Sequence, residues 1–548
     1  MLEFAAARSG KTQDRRFNEA ALTALGVPDA VILRANSRVA IGFVDYGFDL
    51  MHPCLRGLAG DTSRFCFLWD QNRTPEAARS PDLDVATIDD WDGAALNAAV
   101  AIAAESGSRR YFDALYDPHA NNCGRAGTIG AAHGTLMASM AAGTAFAGFR
   151  SAAPYAELIG VQLALLDSDW MEEDAVGRPS WINATFPAAA PWSGWRSYDD
   201  GPQIGNAVGY IYDRACKIGV DGLVVNLSIG AWAGAHDGAS RAERAIAALV
   251  ANADANWKAG CGPRTVFISG AGNAGVDEGH WQGRLAPDAP QSFDWIMQRG
   301  DPTQNKLEIW YDGHEPIDVE LALPNGSTLS LTPGGTHEIL IGATRIGIAD
   351  HAFKARGPLS QLRILVHPPL VPPVLFDGAT TRFSFVVRAA ADRSAIAHAW
   401  IERDDGMAER SWLSPSHPQS SLCCLASARG ALVIAGADHH CQPEMRQPAI
   451  LSASSLGPKP WSKGAAAQVP HVTAPASAIW GAKSKSRGFA QTTGTSAAVA
   501  LASGAIASAL AQDPNAKFAP LDPSAGWSSR FGFGPLSIAG IAPVGVST

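Results

Sequence analysis

The sequence predicts an α/β protein: a parallel sheet with helices on both faces, into which an antiparallel β-sandwich or jelly-roll unit is inserted. Three observations lead there. Over residues 38–280 short apolar runs alternate with helical segments, the pattern of a parallel sheet whose strands are buried on both faces. Over residues 281–425 helical periodicity all but vanishes, and short strand-like runs follow one another between turn signals. Over residues 426–548 apolar strands and a long helix return. The chain thus divides into an N-terminal extension (1–37), a first part of the α/β domain (38–280), the inserted β unit (281–425) and a second part of the α/β domain (426–548).

The elements follow in order. Residues 17–25 suit one short helix within the polar N-terminal stretch. VAIGFV, ending at Asp45, is a short apolar run that closes in a turn, as a buried parallel strand does. Residues 60–128 read as irregular and rich in Asp and Ala. AAHGTLMASMAAG (131–143) has small and apolar residues at helical spacing, and PYAELIGVQL (154–163) holds a second strand. GNAVGYIYDRACKIG (205–219) is helix-like and leads into the strand DGLVVNLSIG (221–230). RAERAIAALVANADANW (241–257) is an amphipathic helix, and RTVFISGAGNAG (264–275) is a strand ending in a Gly-rich turn. In the insert, KLEIWYD, PIDVELAL, HEILIGA, QLRILVH, TRFSFVV and AIAHAWIE are the strand candidates, with turns at Pro324-Asn325-Gly326 and Pro333-Gly334-Gly335. GALVIAGA, HVTAPASAIWGA and GTSAAVALASGAIASALAQ then supply strand, strand and helix.

With 548 residues the chain exceeds one ordinary core. Hydrophobic residues at 47% and charged residues at 17% describe a folded protein rather than a disordered one. A net charge of −9, with no Lys/Arg cluster, gives no general attraction to nucleic acid or to anionic membrane. Arg8, Lys11, Asp14, Arg15 and Arg16 interrupt any apolar leader, and the apolar segment 497–511 is Ala-, Gly- and Ser-rich and too short to span a bilayer. The expectation is a cytoplasmic protein. The eight cysteines show no framework spacing and are expected to be reduced and structural.

A serine hydroxyl becomes a nucleophile when a histidine takes its proton and a carboxylate fixes the imidazole tautomer. Three segments offer these groups at element ends: Asp45 closes a strand, His133 opens a helix, and Ser496 opens another. Helix N-termini favour developing negative charge. FVDYGFDLMHP, HGTLMASMAAG and GTSAAVALASG resemble the aspartate, histidine and serine blocks of the subtilisin-like serine peptidases (subtilases), in that family's order. VVNLSIG resembles the family's substrate-pairing strand, ISGAGNAG its Gly-rich turn with the oxyanion Asn, and GFGPLSIAGIA its closing segment. The resemblance covers about 40–280 and 428–545.

It implies a subtilisin-like fold and a serine endopeptidase acting on protein or peptide. Asp45, His133 and Ser496 would form the triad and Asn273 the oxyanion hole. Ser228, Ile229, Gly230, Ser269, Gly270, Ala271 and Gly272 would bind substrate. Tyr46 departs from the family's usual Ser or Thr. The separation of 88 residues between Asp45 and His133 predicts an insertion, and the 37 residues before the first core strand predict no large cleaved pro-domain. The alternative is a catalytically quiet relative serving as a regulatory or binding module. An α/β-hydrolase esterase is excluded, since it needs the order Ser, Asp, His.

No cofactor and no metal site are expected. The family often carries calcium, but the acidic stretch Asp70, Asp82, Asp84, Asp89, Asp90 and Asp92 lacks ligand spacing, so a solvated surface is the default. Asp438-His439-His440-Cys441 reads as a strand end, because neighbouring side chains on a strand point to opposite faces. Cys423-Cys424 reads as packing. The insert is expected to pack beside the substrate cleft.

Overall fold

In the computed structural model, residues 17–27, 37–71, 91–105, 132–163, 202–301, 305–313, 315–389, 394–402, 410–439, 449–520 and 526–539 are described. Strand β1 (Val39–Asp45) is buried along its whole length. Its side chains alternate between two cores: Val39, Ile41 and Phe43 on one face of the sheet, Ala40 and Val44 on the other. Around it lie β2 (Phe65–Asp70), β3 (Trp91–Asp92), β4 (Glu157–Gln162), β5 (Gly222–Leu227) and β6 (Arg264–Gly270). The neighbours β2-β4-β1-β5-β6 are all parallel. The helices His133–Ala142 and Thr495–Gln512 cover one face, and Gln203–Ile218 and Arg241–Lys258 cover the other. The Arg241–Lys258 helix starts with a reciprocal cap between Ser240 and Glu243, which satisfies two otherwise orphaned N–H groups.

Eleven further strands, β7 (His280–Leu285), β8 (Gln291–Gln298), β9 (Asn305–Asp312), β10 (Ile317–Ala322), β11 (Thr328–Ser330), β12 (Thr336–Ile341), β13 (Thr344–Arg356), β14 (Leu359–Val366), β15 (Thr380–Ala389), β16 (Ala395–Ile401) and β17 (Ser411–Ser414), make two antiparallel sheets. Their orders are β11-β10-β15-β8-β17 and β12-β13-β14-β9-β16-β7. One apolar core, including Trp295, Tyr311, Phe383 and Phe385, lies between them. The chain then returns to the parallel sheet with β18 (Leu432–Asp438), which pairs with β6, with β19 (Ala449–Ile450) and with β20 (Val472–Pro475).

Residues 60–128 are not wholly irregular as expected. Phe65–Asp70 is a strand of the parallel sheet and Gly93–Glu105 is a helix. The strand hides in sequence because its apolar run FCFLWD stops at an acidic stretch. Of that stretch, Asp92 accepts from the N–H of Ala95 and so starts the helix, while Asp82, Asp84, Asp89 and Asp90 lie outside the described residues. In the inserted unit, β7, β8, β11, β13 and β17 have no counterpart among the strand candidates read from the sequence. The apolar Thr495–Gln512 helix meets the length and composition of a membrane span, yet 89% of it is buried inside the fold. Cys54, Cys66, Cys216, Cys261, Cys423 and Cys424 are free thiols. Asp438 ends β18 and His439 is buried; His440 and Cys441 lie outside the described residues.

Candidate active site

The sheet brings the predicted residues to one edge. Asp45 is the last residue of β1. The β1–β5 register pairs Phe43 with Asn226, so Asp45 is level with Ser228, one residue beyond β5. The β5–β6 register pairs Leu227 with Ser269, which sets Gly270 level with Ser228 on the far side. Three neighbouring strand ends, about 4.8 Å apart, thus bring Asp45, Ser228 and Gly270 together at the carboxyl edge of the parallel sheet, where α/β folds commonly bind ligands; His133 and Ser496 reach it from the starts of two helices.

His133 is held against Asp45 by the loop after β1. The helix N-terminal N–H groups of Gly134 and Thr135 donate to the carbonyls of Tyr46 and Gly47 at 2.7 and 3.0 Å, and Thr135 Oγ1 accepts from Asp49 N–H at 2.7 Å. Gly134 is needed for this approach, since a Cβ there would lie 2.7 Å from the Phe48 ring. His133 Nδ1 then donates to Asp45 Oδ1 at 2.7 Å, and Tyr46 N–H donates to the same oxygen at 2.7 Å. Asp45 is fully buried, and the His133 side chain is 25% exposed. An imidazole that spends its Nδ1 proton on a carboxylate keeps a lone pair on Nε2.

Ser496 occupies the first turn of the Thr495–Gln512 helix. Its hydroxyl donates to Ser228 O at 3.1 Å, not to His133. Ser228 is itself fixed by Asn226, whose side-chain oxygen accepts from Ser228 N–H at 3.1 Å and Oγ at 2.6 Å, while its Nδ2 donates to Ser503 at 3.0 Å. The sequence reading missed Asn226; a lone polar residue inside an apolar strand was the signal.

Asn273 sits beside the serine in an orientation that the chemistry dictates. Thr495 N–H and Oγ1 both donate to its side-chain oxygen, at 2.8 and 3.1 Å. A backbone N–H can only donate, so the atom facing it is Oδ1 and Nδ2 is turned away. Among the described residues nothing accepts from Nδ2 or from the Ser496 N–H. Gly494, which precedes this turn, has φ +152° and ψ 166°, a region open essentially to glycine alone, and a Cβ there would meet Asn273 at 3.2 Å.

The remaining predicted residues line the same edge. Ile229 and Gly230 continue past the ladder with backbone groups unpaired among the described residues, opposite Ser269, Gly270, Ala271 and Gly272. Cys423 lies between the two stretches: its N–H donates to Ala271 O at 2.8 Å and its Sγ to Gly270 O at 3.3 Å. Burial pushes that thiol up to about 11, consistent with a packing role. No group of His, Cys, Asp and Glu among the described residues could hold a metal ion.

A model of the subtilase family (Peptidase_S8) matches residues 36–525. The chain belongs to the subtilase family. It is a subtilisin-like serine peptidase, and its substrates are therefore peptides or proteins. Among solved structures, this subtilase is similar to the CspB protease of Clostridium perfringens, with 17% identity and a TM-score of 0.64 over 94% of this chain and 95% of that one. That likeness shows a shared fold along nearly the full length. Sphericase is 12% identical (TM-score 0.41, 96% and 99% covered). The epidermin leader peptide processing serine protease of Staphylococcus aureus is 10% identical (TM-score 0.36, 95% and 78% covered). No curated protein is significantly similar to the chain.

Proposed function

We propose that this subtilase is an endopeptidase with Ser496 as nucleophile, His133 as general base and acid, and Asp45 as the carboxylate that orients the imidazole. The observation that carries the reading is the pair of unused donors, Asn273 Nδ2 and Ser496 N–H, beside a serine at a helix N-terminus. A rotation about the Cα–Cβ bond of Ser496 takes its hydroxyl from Ser228 O toward His133 Nε2, which accepts the proton as Oγ attacks the scissile carbonyl. The oxygen of that carbonyl becomes an anion, and the two donors stabilise it. The imidazolium, held by Asp45, returns the proton to the leaving amine. Water then repeats the sequence on the acyl-enzyme.

Ser228, Ile229 and Gly230 would pair with the substrate backbone as an added strand, with Ser269, Gly270, Ala271 and Gly272 forming the opposite wall.

The test is kinetic, on a peptide blocked at both ends, which only an endopeptidase cuts internally. Asn273→Ala is expected to lower kcat on the order of 10²–10³-fold with a smaller change in KM. An unchanged kcat would show that Asn273 does not face the developing anion.

A further inference from the structure

The β-sandwich touches the chain just where a substrate strand would run out of partners. Ser228 O lies 3.1 Å from Ser496 Oγ, and with Ser496 as nucleophile it would accept from the N–H of the residue whose carbonyl is attacked, here called P1. Backbone groups on an extended strand face one edge at every second residue. Gly230, two residues on, therefore serves the residue two before P1, called P3. The next unit on that edge is Trp232, which would serve P5.

Both backbone groups of Trp232 are already used. Its N–H donates to Glu402 Oε1 at 2.8 Å, and its carbonyl accepts from His236 Nε2 at 2.8 Å. Glu402 comes from the inserted domain and directly follows β16. It is fixed there: its N–H donates to Lys306 O at 2.8 Å, and its carboxylate lies 3.8 Å from Lys306 Nζ. The stretch after Trp232 is likewise occupied by the sandwich. The His236 ring packs on Trp400, with centroids 4.3 Å apart, and Asp237 lies 3.6 Å from Arg356 Nη1.

We propose that the inserted β-sandwich sets the length of the substrate that the cleft reads: Glu402 occupies the backbone donor that would bind P5, so recognition through the substrate backbone ends before P5. The substrate class is a peptide segment chosen by the few residues immediately before the cut, with the chain beyond them turned away from the strand. This rests on the assignment of Ser496 and Ser228 given above.

The experiment is a series of chromogenic peptides with constant P1–P3, lengthened at the N-terminus to P6. Each added backbone hydrogen bond is worth about 2- to 10-fold in kcat/KM. The expected result is a step on completing P3 and no step at P5 or P6 in the wild type, with a P5 step appearing in Glu402→Ala. A wild-type P5 step as large as that at P3 would overturn the proposal, and so would a folded Glu402→Ala enzyme whose P5 step stays absent. The wild-type series decides by itself if that variant does not fold. Ser496→Ala run on the same series separates the two levels: if it cleaves as well as the wild type, the assignment of the site fails, whatever the length dependence.

Discussion

Ser496→Ala is expected to lower kcat on a small peptide by a factor on the order of 10⁶, and His133→Ala by a similar factor. The magnitude is that of the same removals in subtilisin. Removing both groups should cost little more than removing either, because the proton transfer needs the pair. The residual rate would come from Asn273 Nδ2, the Ser496 N–H and the binding strand, none of which depends on the lost groups. Neither variant should unfold the protein. Among the described residues the Ser496 hydroxyl makes one hydrogen bond, to Ser228 O. Steady-state kinetics of the two single variants and the double variant check this. Additive losses would mean that Ser496 and His133 do not act as a unit.

The second large effect is acid lability. His236, His280 and His398 meet Trp400 and Trp461 where the sandwich joins the catalytic domain. His280 Nδ1 faces the carbonyl of His417 at 3.0 Å and must donate to it, so neutral His280 accepts at Nε2 from His398 Nδ1, 2.9 Å away. A second proton on His280 would make its Nε2 a donor and force His398 into the tautomer that accepts at Nδ1. Burial lowers His236 to about 4 and His280 to about 3, and burial followed by repulsion from neighbouring histidines holds His398 well below its ordinary value. Asp237, Glu308 and Lys459 face His236, and the imidazole of His417 faces His280 and His398.

The sign follows from linkage. Below the ordinary value of about 6.5 the unfolded chain protonates these groups while the folded chain does not, so the unfolded state binds more protons. Stability is complete above that pH and is lost as pH falls towards the folded values. Each histidine contributes about 1.4 kcal/mol per pH unit, and three together roughly 4 kcal/mol per unit near pH 5. His351, His367 and His471, also lowered by burial, add in the same direction. Urea unfolding between pH 7.5 and 5, followed by Trp fluorescence, should show the midpoint falling steeply below pH 6.5. A midpoint that stays level over that range would contradict the burial of neutral histidines.

The candidate site was more legible in sequence than the junction. Asp45, His133, Asn273 and Ser496 each stand in a short string whose neighbours are dictated by local geometry, such as the glycine at 134 under Phe48 and the glycine at 494 against Asn273. Such strings can be read as motifs. The strands of the sandwich were read where apolar runs are dense, as in TRFSFVV. They were missed where alternation carries polar residues between the core ones, as in β8, with Phe293, Trp295 and Met297 buried and Asp294 between them. The histidine cluster is spread over positions 236, 280, 398 and 417, and nothing local marks those positions as neighbours. Glu402 on Trp232 N–H is of the same kind: it exists only once β16 is paired with β9.

The most direct test of the central claim is covalent labelling with a fluorophosphonate, which reacts with a serine only when a base activates it. One phosphonyl group per chain, mapped by peptide mass spectrometry to Ser496 and absent from His133→Ala, is the result the account predicts. Labelling at another residue, or equal labelling of Ser496 in the absence of His133, would contradict it.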